Sequence, residues 1–256
     1  MKEGQRHWSR DELVLAMNLY CKLPFGRLHQ RNPEIIRLAK LIDRTPGSVA
    51  YKLVNFASLD PSLKKRGIKG ASNASKLDKE VWAEFYNNWG DMPFESEKLR
   101  AKYEQVSLEE LNQIAEDVVP AFGRTREVTV KARVNQSFFR STILAAYNNR
   151  CCVTGLQKAE LLVAGHIKPW SVDEANRLNP RNGICINALH DKAFEAGFIT
   201  ITEELKLRVS SLLFKDDSNI NSTLFLKYDG KPIHLPTRFL PDPLFLRYHN
   251  KSRFKK

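Results

Sequence analysis

Apolar positions along residues 7–60 recur at helical spacing, and each candidate helix opens on a capping residue. Ser9-Arg10-Asp11-Glu12 forms a capping box, with Ser9 as N-cap and Glu12 at the third helical position, and Leu13, Met17 and Tyr20 then fall on one face. Asn32-Pro33 opens a second helix, because Asn caps and Pro is tolerated at the first position; Ile35, Ile36, Leu38, Ala39, Leu41 and Ile42 supply its apolar side. Thr45-Pro46 opens a third in the same way, with Val49, Leu53 and Phe56 toward the core and Ser48, Tyr51, Lys52 and Asn55 on another face. Residues 61–79 read as a basic, mobile connection. Ser75-Lys76-Leu77-Asp78 is a second capping box, opening a helix that buries Val81, Trp82, Phe85 and Trp89. Ser107 starts a further helix, predicted to end near Pro120. The stretch from Gly123 to Glu127 reads as a boundary, and Val128, Val130, Ala132 and Val134 alternate with polar residues as in a strand.

The second half changes rhythm. Phe138, Phe139, Ile143, Leu144 and Tyr147 carry helical spacing, and Cys152-Val153-Thr154-Gly155 makes a turn. A short apolar strand, Leu161 to Gly165, ends at His166, and a loop runs to about Arg181. Asn182-Gly183 turns into a second strand, Ile184-Cys185-Ile186. A helix carrying His190, Asp191, Lys192, Phe194 and Glu195 follows, then a strand over Phe198–Thr202. The tail reads as loop, then a helix near Pro241–Tyr248, with Phe245 and Tyr248 docked on this half. Lys251, Arg253, Lys255 and Lys256 supply either phosphate contacts or a frayed basic end. The expected fold is α+β: a helical region over 1–122, with its three-helix unit at about 7–60, and a second domain over 123–256 whose core motif spans about 150–205.

Charge narrows the partner. The chain carries 41 Lys and Arg against 29 Asp and Glu, a net +12 over 256 residues, which favours a polyanion. There is no apolar run of transmembrane length, and the N-terminus lacks the apolar core of a signal peptide. A cytoplasmic protein with no membrane partner is expected. Cys21, Cys151, Cys152 and Cys185 show no CxxC spacing, so reduced thiols are expected.

Two sets of residues carry candidate chemistry. Hydroxyl, amide and amine groups at Ser48, Tyr51, Lys52 and Asn55 suit base edges or phosphates in a major groove; a small helical module with a solvated face is the plainer reading. In the second half, strand, loop, strand and helix fold back so that His166 and His190 can meet. Two histidines over one cleft in a basic protein suit phosphodiester hydrolysis, one taking a proton from water and the other holding a divalent metal. Two unrelated structural histidines would give the same spacing.

Residues 7–60 resemble Myb-like and winged-helix-like DNA-binding modules, through Trp8 and Arg44-Thr45-Pro46-Gly47-Ser48-Val49. Over about 135–205, three blocks resemble the HNH endonuclease family, in its bacterial restriction and phage-defence branch: Ala164-Gly165-His166-Ile167-Lys168-Pro169-Trp170, Asn182-Gly183-Ile184, and Leu189-His190-Asp191-Lys192-Ala193-Phe194-Glu195-Ala196-Gly197. That resemblance implies a ββα-metal fold that clasps one divalent ion and cuts DNA to 5′-phosphate and 3′-hydroxyl ends. It implies His166 as general base, Asn182 as the residue that orients the base loop, and His190 as metal ligand. Asn187 and Asp191 are further candidate ligands. Neighbours on a helix point about 100° apart, which counts against Asp191 and His190 binding one ion together; Asn187 lies nearer the face of His190. Lys168 and Arg181 are candidates for neutralising phosphate.

Many members of that family carry Asp or His where this chain has Gly165. Either fewer protein groups and more water hold the ion, which Mg²⁺ tolerates, or a ligand comes from elsewhere; Mg²⁺ is the first expectation, with Mn²⁺, Ni²⁺ or Zn²⁺, which imidazole suits better, as alternatives. The expected partner is double-stranded DNA, and a homodimer where both strands are cut. Two other functions share these residues: a non-catalytic DNA-binding regulator and an RNA-directed nuclease.

Overall fold

A computed structural model describes residues 6–67, 73–115, 124–214 and 219–256. It places a mainly helical region first and the strands after it. The chain gathers into two compact units that divide between Ser141 and Thr142.

The first unit follows its capping residues. Helix α1 (Arg10–Lys22) starts at the Ser9/Glu12 capping box, α2 (Pro33–Leu41) at Asn32 and α3 (Pro46–Leu59) at Thr45, whose hydroxyl accepts the Ser48 amide. Their apolar faces meet in one core containing Leu13, Met17, Tyr20, Ile35, Leu53 and Phe56, all fully buried. The start of α1 is also clamped electrostatically. Arg44 bonds the Glu12 carboxylate at 2.8 Å and the His7 carbonyl at 2.6 Å, and its guanidinium lies 4.6 Å from the Trp8 ring centroid.

The next elements depart from the sequence reading in part. Pro61–Lys65 is a short helix, α4, capped by Asp60, where the sequence predicts a mobile connection; residues 68–72 of that connection lie outside the described residues. Helix α5 (Lys76–Asn87) opens at the Ser75/Asp78 capping box and buries Trp82 and Phe85 as expected. Helix α6 (Met92–Glu104) is absent from the sequence reading. It begins without a side-chain cap bond, although Asp91 and Pro93 stand at its start, and it ends on Gln105 in the left-handed region rather than on a glycine. Helix α7 spans only Leu108–Leu111, and Gln113 is already left-handed; the expected end near Pro120 falls outside the described residues.

The predicted strand at residues 128–134 is a helix. Helix α8 (Arg124–Ala146) runs through it and across the division between the units. Val130 and Val134 are buried one helical turn apart, against Phe94, Leu108 and Ile114, while Val128 is exposed. Alternating valines mimic a strand here, but the buried set continues at helical spacing into Phe138.

The second unit holds two small antiparallel sheets. Strand β1 (Leu162–His166) pairs with β2 (Gly183–Asn187), Leu162 opposite Asn187 and His166 opposite Gly183. Helix α9 (Ala188–Glu195) follows β2 directly, completing a ββα unit. Strands β3 (Ile199–Ile201) and β4 (Leu207–Val209) form the second sheet, followed by α10 (Ser211–Phe214), α11 (Asn219–Leu224) and α12 (Pro243–Ser252). Phe245 is buried against this unit, as expected of the tail. Cys21, Cys151, Cys152 and Cys185 are buried thiols outside any disulfide. Among the described residues no helix is long and apolar enough to cross a membrane.

Candidate active site

The hairpin and helix are fixed by the groups that end them. Asn187 closes β2 and caps α9, its side-chain oxygen accepting the His190 amide at 3.0 Å. Cys151 braces that corner, its sulfur accepting the Asn187 amide at 3.3 Å and the Thr154 amide at 3.4 Å. Cys152 adds a backbone bond to the Cys185 carbonyl at 2.7 Å. These bonds hold the Leu162–Asn187 end of the hairpin, opposite the end that carries His166.

His166 opens onto a cleft of about 420 Å³ lined also by Gly165, Trp170, Asp191, Glu195 and Arg253. Its Nε2 lies 2.8 Å from the Arg177 carbonyl oxygen. A carbonyl only accepts, so the proton of the neutral ring sits on Nε2 and the lone pair on Nδ1. Burial pulls its pKa below the ordinary imidazole value, with the Arg177 carbonyl opposing. The ring meets Trp170 edge to face at 5.7 Å, and the Arg177 guanidinium covers Trp170 at 5.1 Å, so the loop folds over its own aromatic.

Asn182 is completely buried and ties that loop to the strand. Its Oδ1 accepts the Lys168 amide at 2.8 Å, and its Nδ2 donates to the carbonyls of Lys168 at 3.1 Å and Asn176 at 3.2 Å. The Ile167 amide bonds the Asn182 carbonyl at 2.9 Å. One side chain thus holds both ends of the segment that carries the Arg177 carbonyl to His166.

His190 does not reach this cleft. It is buried, with Nδ1 3.1 Å from Asn187 Oδ1 and Nε2 2.9 Å from the Leu224 carbonyl. Phe225 and Tyr228 pack around its ring. Both ring nitrogens lie against oxygens of this unit, and the ring stands apart from the cleft that His166 lines. Asn187 likewise spends its oxygen on His190 and its amide nitrogen on Thr154 Oγ1 at 3.3 Å.

Asp191, about 100° further round α9, lines the cleft with His166. Its Oδ1 sits where a Cβ on Gly165 would collide with it. Burial, together with the nearby Glu195 carboxylate, raises its pKa to about 6. Glu195 lies four residues on, on the same helix face, and pairs with Lys192 at 3.3 Å. Among the described residues no group of three or more His, Cys, Asp or Glu side chains is placed to hold a metal. Asp191 and Glu195 supply two, and the glycine cradle gives the first of them room. Sequence reasoning misses Glu195 as a candidate ligand, although its i, i+4 spacing from Asp191 is a readable signal.

Lys168 and Arg181 are engaged elsewhere. Lys168 Nζ pairs with Asp173 at 2.9 Å and lies 5.3 Å from the Tyr248 ring, and Arg181 pairs with Asp242 at 3.0 Å. Neither lines the cleft. In the first unit, Tyr51 is exposed and Ser48 half-buried, but Lys52 pairs with Asp78 at 2.8 Å and Asn55 is buried with its Nδ2 3.2 Å from Asp78. The four residues therefore do not present one common outer face: two look outward and two are drawn in by the capping carboxylate of α5.

Residues 151–202 match the family model described as HNH endonuclease. That stretch contains both strands, the loop, α9 and β3. A search of curated proteins finds no match.

Proposed function

We propose that this protein is an endonuclease that hydrolyses phosphodiester bonds of double-stranded DNA, in restriction or phage defence. The observation that carries this reading is the setting of His166: its Nε2 is bonded to a fixed carbonyl, and its ring opens onto a cleft shared with two carboxylates. A depressed pKa keeps the imidazole neutral at pH 7, the state a general base needs. Nδ1 takes a proton from water as the water oxygen attacks phosphorus, and the bond to the 3′-oxygen breaks. The products are the 5′-phosphate and 3′-hydroxyl ends that the resemblance implies. Asn182 acts through the loop, keeping the Arg177 carbonyl on Nε2 so that the tautomer does not drift.

Asp191 and Glu195 are the residues that would hold a divalent ion, and carboxylates with water suit Mg²⁺ or Mn²⁺ better than Ni²⁺ or Zn²⁺. When bound, such an ion supplies positive charge to phosphate oxygens and the leaving group.

The first unit serves to grip DNA, with Tyr51 and Ser48 at the outer surface of α3 as the groups that meet it. One base and one carboxylate pair cut one strand, so a double-strand break takes two copies of the chain.

The test is nicking of supercoiled plasmid with Mg²⁺, Mn²⁺, Ni²⁺ or EDTA, using wild type and His166→Ala. Metal-dependent nicking that the variant loses by a factor of about 10²–10⁴ is expected. Nicking unchanged in the variant contradicts the assignment.

A further inference from the structure

The basic C-terminus is not a frayed end. Residues 243–256 carry Arg247, Lys251, Arg253, Lys255 and Lys256 and no acidic residue. Helix α12 is capped by Asp242 and anchored by His249, which is buried, stacks on Phe194 with centroids 3.7 Å apart, and meets Thr200 Oγ1 at 2.7 Å and the Phe194 carbonyl at 3.1 Å. Asn250 donates to the Ile201 carbonyl at 2.9 Å. Beyond the helix, the Lys255 amide bonds the Gly197 carbonyl at 2.9 Å. Gly197 has a φ of +78°, and a Cβ there would run into the Arg253 carbonyl, so glycine lets the tail lie flat against the end of α9.

This docking sets one guanidinium. Arg253 Nη2 donates to the Glu195 carbonyl at 3.1 Å, while the exposed side chain lines the cleft with His166 and Asp191. A single backbone carbonyl uses one of five donors. Lys168 and Arg181, the cations that sequence suggests for this task, are tied to carboxylates outside the cleft.

We infer that Arg253 is a phosphate-binding residue of this cleft, contacting a non-bridging oxygen of the DNA backbone beside the bond to be cut. The inference rests on the nuclease reading and adds to it a group outside the matched stretch, supplied by the C-terminal strap.

The test is DNA binding by the full chain in metal-free buffer, followed by fluorescence anisotropy across a salt series. Arg253→Gln keeps a donor for the Glu195 carbonyl but removes the charge; Arg253→Lys keeps the charge. Deprived of one phosphate interaction, the Gln variant should bind about tenfold more weakly, and its slope of log K against log salt should fall by about 0.9. The Lys variant should hold the wild-type slope, and both should melt with the wild type. A wild-type slope in Arg253→Gln overturns the inference, as does a Lys variant as impaired as the Gln one. Wild type that shows no salt-dependent DNA binding at all would instead bring down the nuclease reading, and the inference with it.

Discussion

Gly165 and Asp191 are complementary: the Oδ1 of Asp191 lies only 2.4 Å from where a Cβ on residue 165 would stand. Gly165 pairs with Ile184 inside the hairpin, so the cost of a larger residue there is a collision with Asp191. Gly165→Ala is expected to destabilise the protein by roughly 1–3 kcal/mol, the usual range for overpacking. In an Asp191→Ala background the same substitution should cost almost nothing. A double-mutant cycle in urea reads this coupling, and additive costs would show that the two do not meet.

Asn182 should be intolerant of change. Removing its side chain leaves the Lys168 amide and the carbonyls of Lys168 and Asn176 without the partner that now meets them. A loss of at least about 2 kcal/mol is expected for Asn182→Ala, from buried groups left unpaired. Nicking should fall further than the fraction of folded protein does, because the Arg177 carbonyl no longer fixes the His166 tautomer. Stability from urea curves and rates at saturating DNA separate the two effects.

Acid should loosen the docking of α12. His249 has its pKa lowered to about 4, chiefly by burial, and helped by the nearby Arg253 charge. An unfolded histidine titrates near 6.5, so between 6.5 and 4 the unfolded chain binds more protons than the folded one. The contribution of His249 is present above pH 6.5 and is lost as pH falls toward 4, amounting to roughly 3 kcal/mol for the full shift. Asp191 runs the other way: its folded pKa of about 6 lies above the ordinary carboxylate value, so its effect lowers stability as pH rises through that window. The difference in melting temperature between wild type and His249→Gln, followed from pH 7 to 4.5, isolates the histidine; it should shrink with acid. A difference independent of pH would refute the neutral, buried assignment.

The two faces of α3 should respond differently. Tyr51→Ala is expected to weaken DNA binding without lowering the melting temperature, since Tyr51 is exposed. Asn55→Ala should lower stability, because Asn55 is buried on Asp78 beside Lys52. Anisotropy and thermal melts on the two variants check this, and the reverse pattern would move the DNA-contacting surface off this helix.

These residues also show what the sequence can disclose. Helix starts are legible where a side chain caps them, at Ser9, Asn32, Thr45 and Ser75, because capping is local chemistry. Helix α6 escapes because it has no such bond at its start and a glutamine where a glycine would mark its end. Residues 128–134 mislead because alternating valines fit two periods over a short window, and only the burial of Val130, Val134 and Phe138 together decides for a helix. At the site, spacing locates the hairpin, the loop and α9 around His166 and Asn182. It does not reveal which of two adjacent residues on α9 lines the cleft with the base. That depends on the packing of His190 against Leu224, Phe225 and Tyr228, more than thirty residues away in sequence.

The most direct test of the account is a time course of plasmid nicking in Mn²⁺ with Asp191→Asn beside wild type and His166→Ala, at matched folded fraction. If Asp191 and His166 line one active cleft, both variants should lose activity by at least about 10²-fold, a typical contribution of a positioned catalytic group. Full activity in Asp191→Asn would contradict the account and return the metal to the side of α9 where His190 lies.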